Sequence, residues 1–125
     1  DETAWLKERV EIPIVADEAV KTAGDIPRLA GAYDGINIKL MKSGGLQEAI
    51  RMIHVARALG MKIMLGCMIE SSVAISAGAH ISPLVDWADL DGNLLISNDP
   101  FLGVGMDHGR LILGDGPGLG LRQRA

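Results

Sequence analysis

The sequence has little of three things: cysteine, aromatic residues and long apolar runs. A single cysteine, Cys67, excludes an internal disulfide and fits a reducing, cytoplasmic setting. Aromatic residues make up 3% of the chain, and 12 basic residues stand against 16 acidic ones for a net charge of −4. No basic stripe with interleaved aromatics is present, so nucleic acid is not an expected partner. No run approaches the ~18 apolar residues that a membrane-spanning helix needs, so no membrane role is expected either. No charged and apolar leader opens the chain, and secretion is not expected. The opening DETAWLKERV has no initiator methionine and reads as helix, with Ala4, Leu6 and Val10 along one side. A piece of a longer protein is therefore expected.

What is present is a regular alternation. The 125 residues, 48% of them hydrophobic, suit one globular domain. Short apolar runs alternate with helical ones, the pattern of βαβ units and a parallel sheet. Strands are predicted over Glu11–Glu18, at INIKL, over Met61–Gly66 and over Asp86–Gly92. Between them, AGDIPRLAGAY reads as a helix with Asp25 as N-cap and Pro27 in its first turn. The clearest helix is GLQEAIRMIHVARALG, with Leu46, Ile50, Ile53 and Arg57 at helical spacing and Gly60 as its stop. SSVAISAGAHI reads as a small-residue helix capped by Ser71 or Ser72. Beyond Gly92 the alternation ends in a Gly- and Pro-rich tail with one short strand, RLIL. The pattern fits either half of a (β/α)8 barrel or a small open doubly wound sheet.

Both folds place chemistry at the carboxyl ends of their strands, and each predicted strand here delivers a polar group to that rim. The first ends in Asp17 and Glu18. On the second, strand alternation sets Asn37 and Lys39 on one face, with Ile36, Ile38 and Leu40 on the other. The third leads into Cys67, Met68, Ile69 and Glu70, and the fourth ends in Asp89 and Asp91, two residues apart and so on one face. A lysine within a packed strand is costly unless paired or used. Lys42 is read as a charge in the loop before Ser43-Gly44-Gly45, near enough to assist Lys39. Glu18 is a candidate partner for Lys39 or Asp17, or a helix-start residue; Glu70 could touch a substrate or cap the next helix. Cys67 has no base marked beside it and is read as a small buried residue. His54, His80 and His108 share no metal-ligand spacing. GVGMDHG and GDGPGLG lie between no strand and helix, so they are read as turns, not phosphate loops.

IVADEAV, INIKLMKSGGL, MLGCMIESS, DLDGNLL and GPGLGL, in that order and spacing, resemble the carboxyl-terminal half of the enolase superfamily. Within it they look most like the dipeptide epimerases of the muconate-lactonizing-enzyme subgroup. The resemblance covers essentially the whole chain. It implies an α/β fold: the C-terminal half, about strands 5–8, of a (β/α)8 TIM-type barrel. It assigns residues 1–92 to that half. Residues 93–125 become a tail that packs back on the barrel and on a capping domain outside this chain.

The resemblance also implies roles. Asp17 matches the last of three carboxylates that bind Mg²⁺, and Lys39 matches an acid/base lysine. Cys67, Met68 and Ile69 match a loop lining the substrate pocket, and Asp89 and Asp91 match the pair that holds a dipeptide's α-ammonium. Glu18, Asn37 and Lys42 stand behind these as supporting candidates. The implied reaction is epimerisation of a dipeptide through an enediolate, with one lysine on each face of the α-carbon. A Lys-x-Lys motif, two further metal carboxylates and the capping domain belong to the family enzyme and are not in this sequence. The chain alone is therefore expected to bind Mg²⁺ poorly and to be inactive, and the full-length protein is expected to be a homo-oligomer. Other activities of the subgroup, o-succinylbenzoate synthase, muconate cycloisomerase or N-acylamino-acid racemase, share the Asp17 and Lys39 positions without needing Asp89 and Asp91. A non-catalytic half-barrel acting as a binding module is a third reading.

Overall fold

The computed structural model describes residues 2–125. Its frame is a parallel sheet of four strands, β1 (Val15–Ala16), β2 (Gly35–Lys39), β3 (Lys62–Gly66) and β4 (Trp87–Ala88), lying side by side in chain order. A doubly wound sheet reverses its order at a switch point. This one never reverses, so it is an arc of barrel and the open-sheet alternative falls.

The helices are α1 (Glu2–Lys7), α2 (Ile26–Leu29), α3 (Leu40–Ser43), α4 (Leu46–Ala58) and α5 (Ser72–Ile81). Alternation along β2 and β3 turns Ile36, Ile38, Ile63 and Leu65 to the helix-covered face, where all four are fully buried. α4 meets them with Ala49, Met52, Ile53 and Ala56, spaced i, i+3, i+4, i+7 as one face of a helix requires. The stripe is rotated from the expected one, for Ile50 is 36% exposed. Small Ala49 and Ala56 let the helix lie close to the sheet. Asp86 ties α4 to the strands: it accepts from Arg57 Nη1 at 2.6 Å, Lys62 Nζ at 3.3 Å and the Ile63 amide at 2.8 Å. Burial would push its carboxyl up, but these donors hold it below the usual carboxylate range.

Several elements are shorter than the sequence predicts. β1 holds only Val15–Ala16, because Pro13 has no amide to give a ladder and the Ile14 amide is taken by Asp34 Oδ2 at 2.9 Å. α2 starts at Ile26 after a 3₁₀ turn, and Asp25 does not cap it. Its carboxylate instead reaches back to the Thr22 and Lys21 amides at 2.9 and 3.1 Å, the acidic half of a capping box. α1 buries none of its residues. Leu6 and Val10, expected on a packed side, are 41% and 38% exposed, and Trp5 is stacked by Arg9 at 4.2 Å. β4 is assigned only at Trp87–Ala88, although Asp86 N to Ile63 O and Asp89 N to Leu65 O, both 2.9 Å, extend its pairing.

The tail holds more than RLIL. β5 (Phe101–Leu102) pairs with β8 (Arg122–Gln123), and β6 (Gly105–Asp107) with β7 (Arg110–Ile112), both antiparallel. GVGMDHG and GDGPGLG lie in these hairpins and turns. No described helix is long and apolar enough to cross a membrane.

Candidate active site

At the carboxyl ends of β1, β2, β3 and β4 the sheet's other face forms an open pocket of about 340 Å3, lined by Val15, Asp17, Asn37, Lys39, Met64, Gly66, Cys67 and Asp89. The strand period puts them there: Asn37 and Lys39 alternate with buried Ile36 and Ile38, and Met64 and Gly66 with buried Ile63 and Leu65. In register, Asn37 lies beside Met64 and Lys39 beside Gly66.

Asp17 is the electrostatic centre. Lys39 Nζ lies 2.8 Å from its Oδ2. Lys42 Nζ donates to its Oδ1 and, at 2.7 Å, to its backbone carbonyl. Burial would raise the Asp17 carboxyl, but the bonds from Lys39 and then Lys42 outweigh it and hold it low. The hydrogen bond to Asp17 pushes Lys39 up, against the opposing effect of burial. The side chain of Lys39 is 14% exposed and that of Lys42 only 8%. Two ammonium groups thus share one carboxylate on this rim.

Lys42 is not in a loop. β2 runs straight into α3, whose last turn is closed by Gly44 in the left-handed conformation at φ +83°, a helix ending that favours glycine. Lys39 sits at the N-cap position of α3 without a side-chain capping bond, and three residues on the helix brings Lys42 back to the same side. Leu40, expected as the last outward residue of the strand, is the first of α3.

Asn37 is buried, and its Oδ1 has no hydrogen-bond partner among the described residues. Gly66 makes room for it: a Cβ there would lie 2.7 Å from Asn37 Oδ1. Gly66→Ala should therefore push Asn37 out of place and destabilise the chain by about 1–3 kcal/mol, read as a lowered urea midpoint at unchanged m.

The remaining candidates are spread unevenly. Asp89 lines the pocket, and Leu90 turns the other way and is buried. Asp91 does not continue the strand: at φ −103°, ψ 0° it heads a 3₁₀ turn over Gly92–Leu95. The expected sharing of a strand face by Asp89 and Asp91 thus ends at Leu90, although both charges bear on Cys67. Burial first of all raises that thiol; the Gly92 and Asp91 amides oppose this, and the Asp91 and Asp89 charges add to it. Met68 is 40% and Ile69 69% exposed, and neither lines the pocket. Glu70 neither caps α5 nor reaches the pocket; its Oε1 accepts the Met68 amide at 2.6 Å. Glu18 is exposed, its Oε1 4.0 Å from Lys39 Nζ.

A divalent cation finds part of a site. Mg²⁺ seeks six oxygen ligands, often including carboxylates, and Asp17 offers one. No cluster of three His, Cys, Asp or Glu side chains able to hold a metal exists among the described residues. The rim therefore fits one ligand's share of such a site.

Comparison with known proteins gives a consistent result. Residues 1–124 match the family described as enolase C-terminal domain-like. The L-Ala-D/L-Glu epimerase of Bacteroides thetaiotaomicron is 53% identical, over 97% of this chain and 32% of that protein. Two solved structures superpose closely. The N-succinyl Arg/Lys racemase of Bacillus cereus has a TM-score of 0.88 at 31% identity, over 98% of this chain and 34% of its own. The dipeptide epimerase of Cytophaga hutchinsonii, complexed with Mg and D-Ala-L-Val, has a TM-score of 0.87 at 29% identity, over 98% of this chain and 35% of its own. The chain spans about a third of the length of the curated relatives it matches.

Proposed function

Because the chain belongs to the enolase C-terminal domain-like family, as part of a (β/α)8 barrel, we propose that it supplies half of the active site of a Mg²⁺-dependent dipeptide epimerase. The observation that carries this is the convergence of Asp17, Lys39 and Asp89 on one pocket from the carboxyl ends of β1, β2 and β4. Residues 1–92 are the barrel half and residues 93–125 the tail.

In this reading Lys39 works at the substrate's α-carbon. Lys39 Nζ, held charged here by Asp17, must first give a proton to solvent and so regain its lone pair. The Cα–H bond then breaks, the proton passes to that lone pair and the bonding electrons move into the adjoining carboxylate. A second base, outside this chain, serves the opposite face and makes inversion possible. Asp17 would hold the metal together with carboxylates outside this chain, and the bound ion would supply stabilisation of the negative charge that grows on the substrate carboxylate. Lys42, bonded to both the side chain and the backbone of Asp17, fixes that carboxylate's position. Asp89 accepts the substrate ammonium, and Asp91 adds negative charge behind it.

A second reading within the same family is racemisation of N-acylated amino acids, favoured by the likeness to the N-succinyl Arg/Lys racemase. An acylated nitrogen carries no positive charge, so that reading leaves Asp89 without a task. The test of the proposal is α-proton exchange of L-Ala-L-Glu in D₂O by the full-length protein. Exchange should be lost with EDTA and restored by added Mg²⁺. Exchange that survives exhaustive chelation would refute the metal's part, and no exchange on any dipeptide would refute the activity.

A further inference from the structure

We propose that Asp99, in the tail, is the positioning residue for the loop Cys67–Ser71, whose first residue, Cys67, lines the pocket; this rests on reading that pocket as the dipeptide site. The first turn of a helix carries amides with no partner inside the helix. Ser71, at the cap position of α5, makes no side-chain capping bond. Asp99 takes its place from 27 residues away: its Oδ2 accepts the buried Ser72 amide at 2.6 Å, and its Oδ1 accepts the Phe101 amide at 3.1 Å. Asp99 is only 7% exposed. A negative charge here also suits the positive end of the helix.

The tail is fitted closely around this contact. Asn93 Nδ2 donates to Ser72 Oγ at 3.3 Å, and the Val104 amide donates to Ser76 Oγ at 2.9 Å. A Cβ on Gly103 would lie 2.3 Å from Ser76 Oγ, and one on Gly92 would lie 2.1 Å from the Met68 carbonyl oxygen. The Cys67–Ser71 loop is thus held at its far end through Ser72 by Asp99 and pressed in its middle by Gly92. Its one internal side-chain bond is Glu70 to the Met68 amide. The body of α5 is anchored separately by buried Ile75, Ala79 and Ile81. Losing Asp99 should therefore loosen the first turn and the loop, not the whole helix.

The experiment pairs peptide-resolved amide hydrogen exchange with steady-state kinetics on the full-length protein and its Asp99→Ala and Asp99→Asn variants. Asp99→Ala should speed exchange across residues 67–76 by at least roughly tenfold and leave residues 46–58 unchanged. KM for the dipeptide should rise by roughly tenfold with kcat little altered, because binding is disturbed more than proton transfer. Asp99→Asn keeps one acceptor and should fall between the wild type and Asp99→Ala. Unchanged exchange at 67–76 would overturn the proposal, and so would faster exchange with KM unchanged. If Asp99→Ala does not fold, Asp99→Asn decides by the same two readouts. If the wild type acts on no dipeptide, the proposed function fails by itself, and hydrogen exchange alone decides whether Asp99 fixes the loop.

Discussion

Lys39→Met in the full-length protein should lower α-proton exchange from one configuration of the dipeptide by about 10²–10⁴-fold, the span usual for loss of a positioned acid/base group. Exchange from the other configuration should survive in part, because a base on the opposite face can still remove the proton it meets. Methionine keeps most of the volume of the lysine stem, so the pocket wall between Asn37 and Gly66 stays filled. Asp17 keeps its bonds from Lys42, so the variant is not left with an unpaired carboxylate and should fold. The checking measurement is deuterium incorporation from each pure diastereomer, followed by NMR. Equal and full retention for both diastereomers would remove Lys39 from the proton path. Equal loss for both would mean that Lys39 acts on substrate placement and not on one face of the α-carbon.

Asp89→Asn should cost roughly 10- to 150-fold in kcat/KM for dipeptides with a free amino terminus. That is the value of a hydrogen bond to a charged group, about 1.5–3 kcal/mol. The loss should vanish for the same dipeptide carrying an N-acetyl group, since the variant and the wild type then meet the same uncharged nitrogen. Asp91→Asn should cost less, because Asp91 heads the turn after the strand and does not line the pocket. An equal effect of Asp89→Asn on free and acetylated dipeptides would rule out ammonium recognition by this carboxylate.

The parts of the site legible in the sequence are those fixed by one short rule. Strand alternation places Asn37 and Lys39 opposite Ile36 and Ile38, and β2 keeps that alternation because it is central and paired on both sides. The same rule fails at Asp91, where β4 is the last strand described in its sheet and the chain turns after Leu90. Lys42 is a candidate in the sequence, but its place on a helix is hidden because α3, a helix of four residues, is too short to show a period. The paired glycines after Ser43 were its only local signal. Asp99 was hidden for a different reason: its partner Ser72 is 27 residues away, and NDPF reads locally as a turn. Asp25 shows the converse error, since a capping residue was legible but the direction in which it caps was not. A parallel sheet of strand–helix units is legible from the alternation and the half-barrel is implied by the family resemblance, whereas the exclusion of an open sheet needs the observed strand order.

The central claim is that this rim is built for a dipeptide's free ammonium and for proton transfer beside a carboxylate. It is tested most directly by incubating the full-length protein with Mg²⁺ in D₂O and an equimolar mixture of L-Ala-L-Glu and N-succinyl-L-glutamate, and following both α-proton signals. The account predicts exchange at the glutamate α-carbon of the dipeptide, with the succinylated amino acid left protonated over the same interval. Faster exchange of the succinylated compound, with the dipeptide untouched, would contradict it.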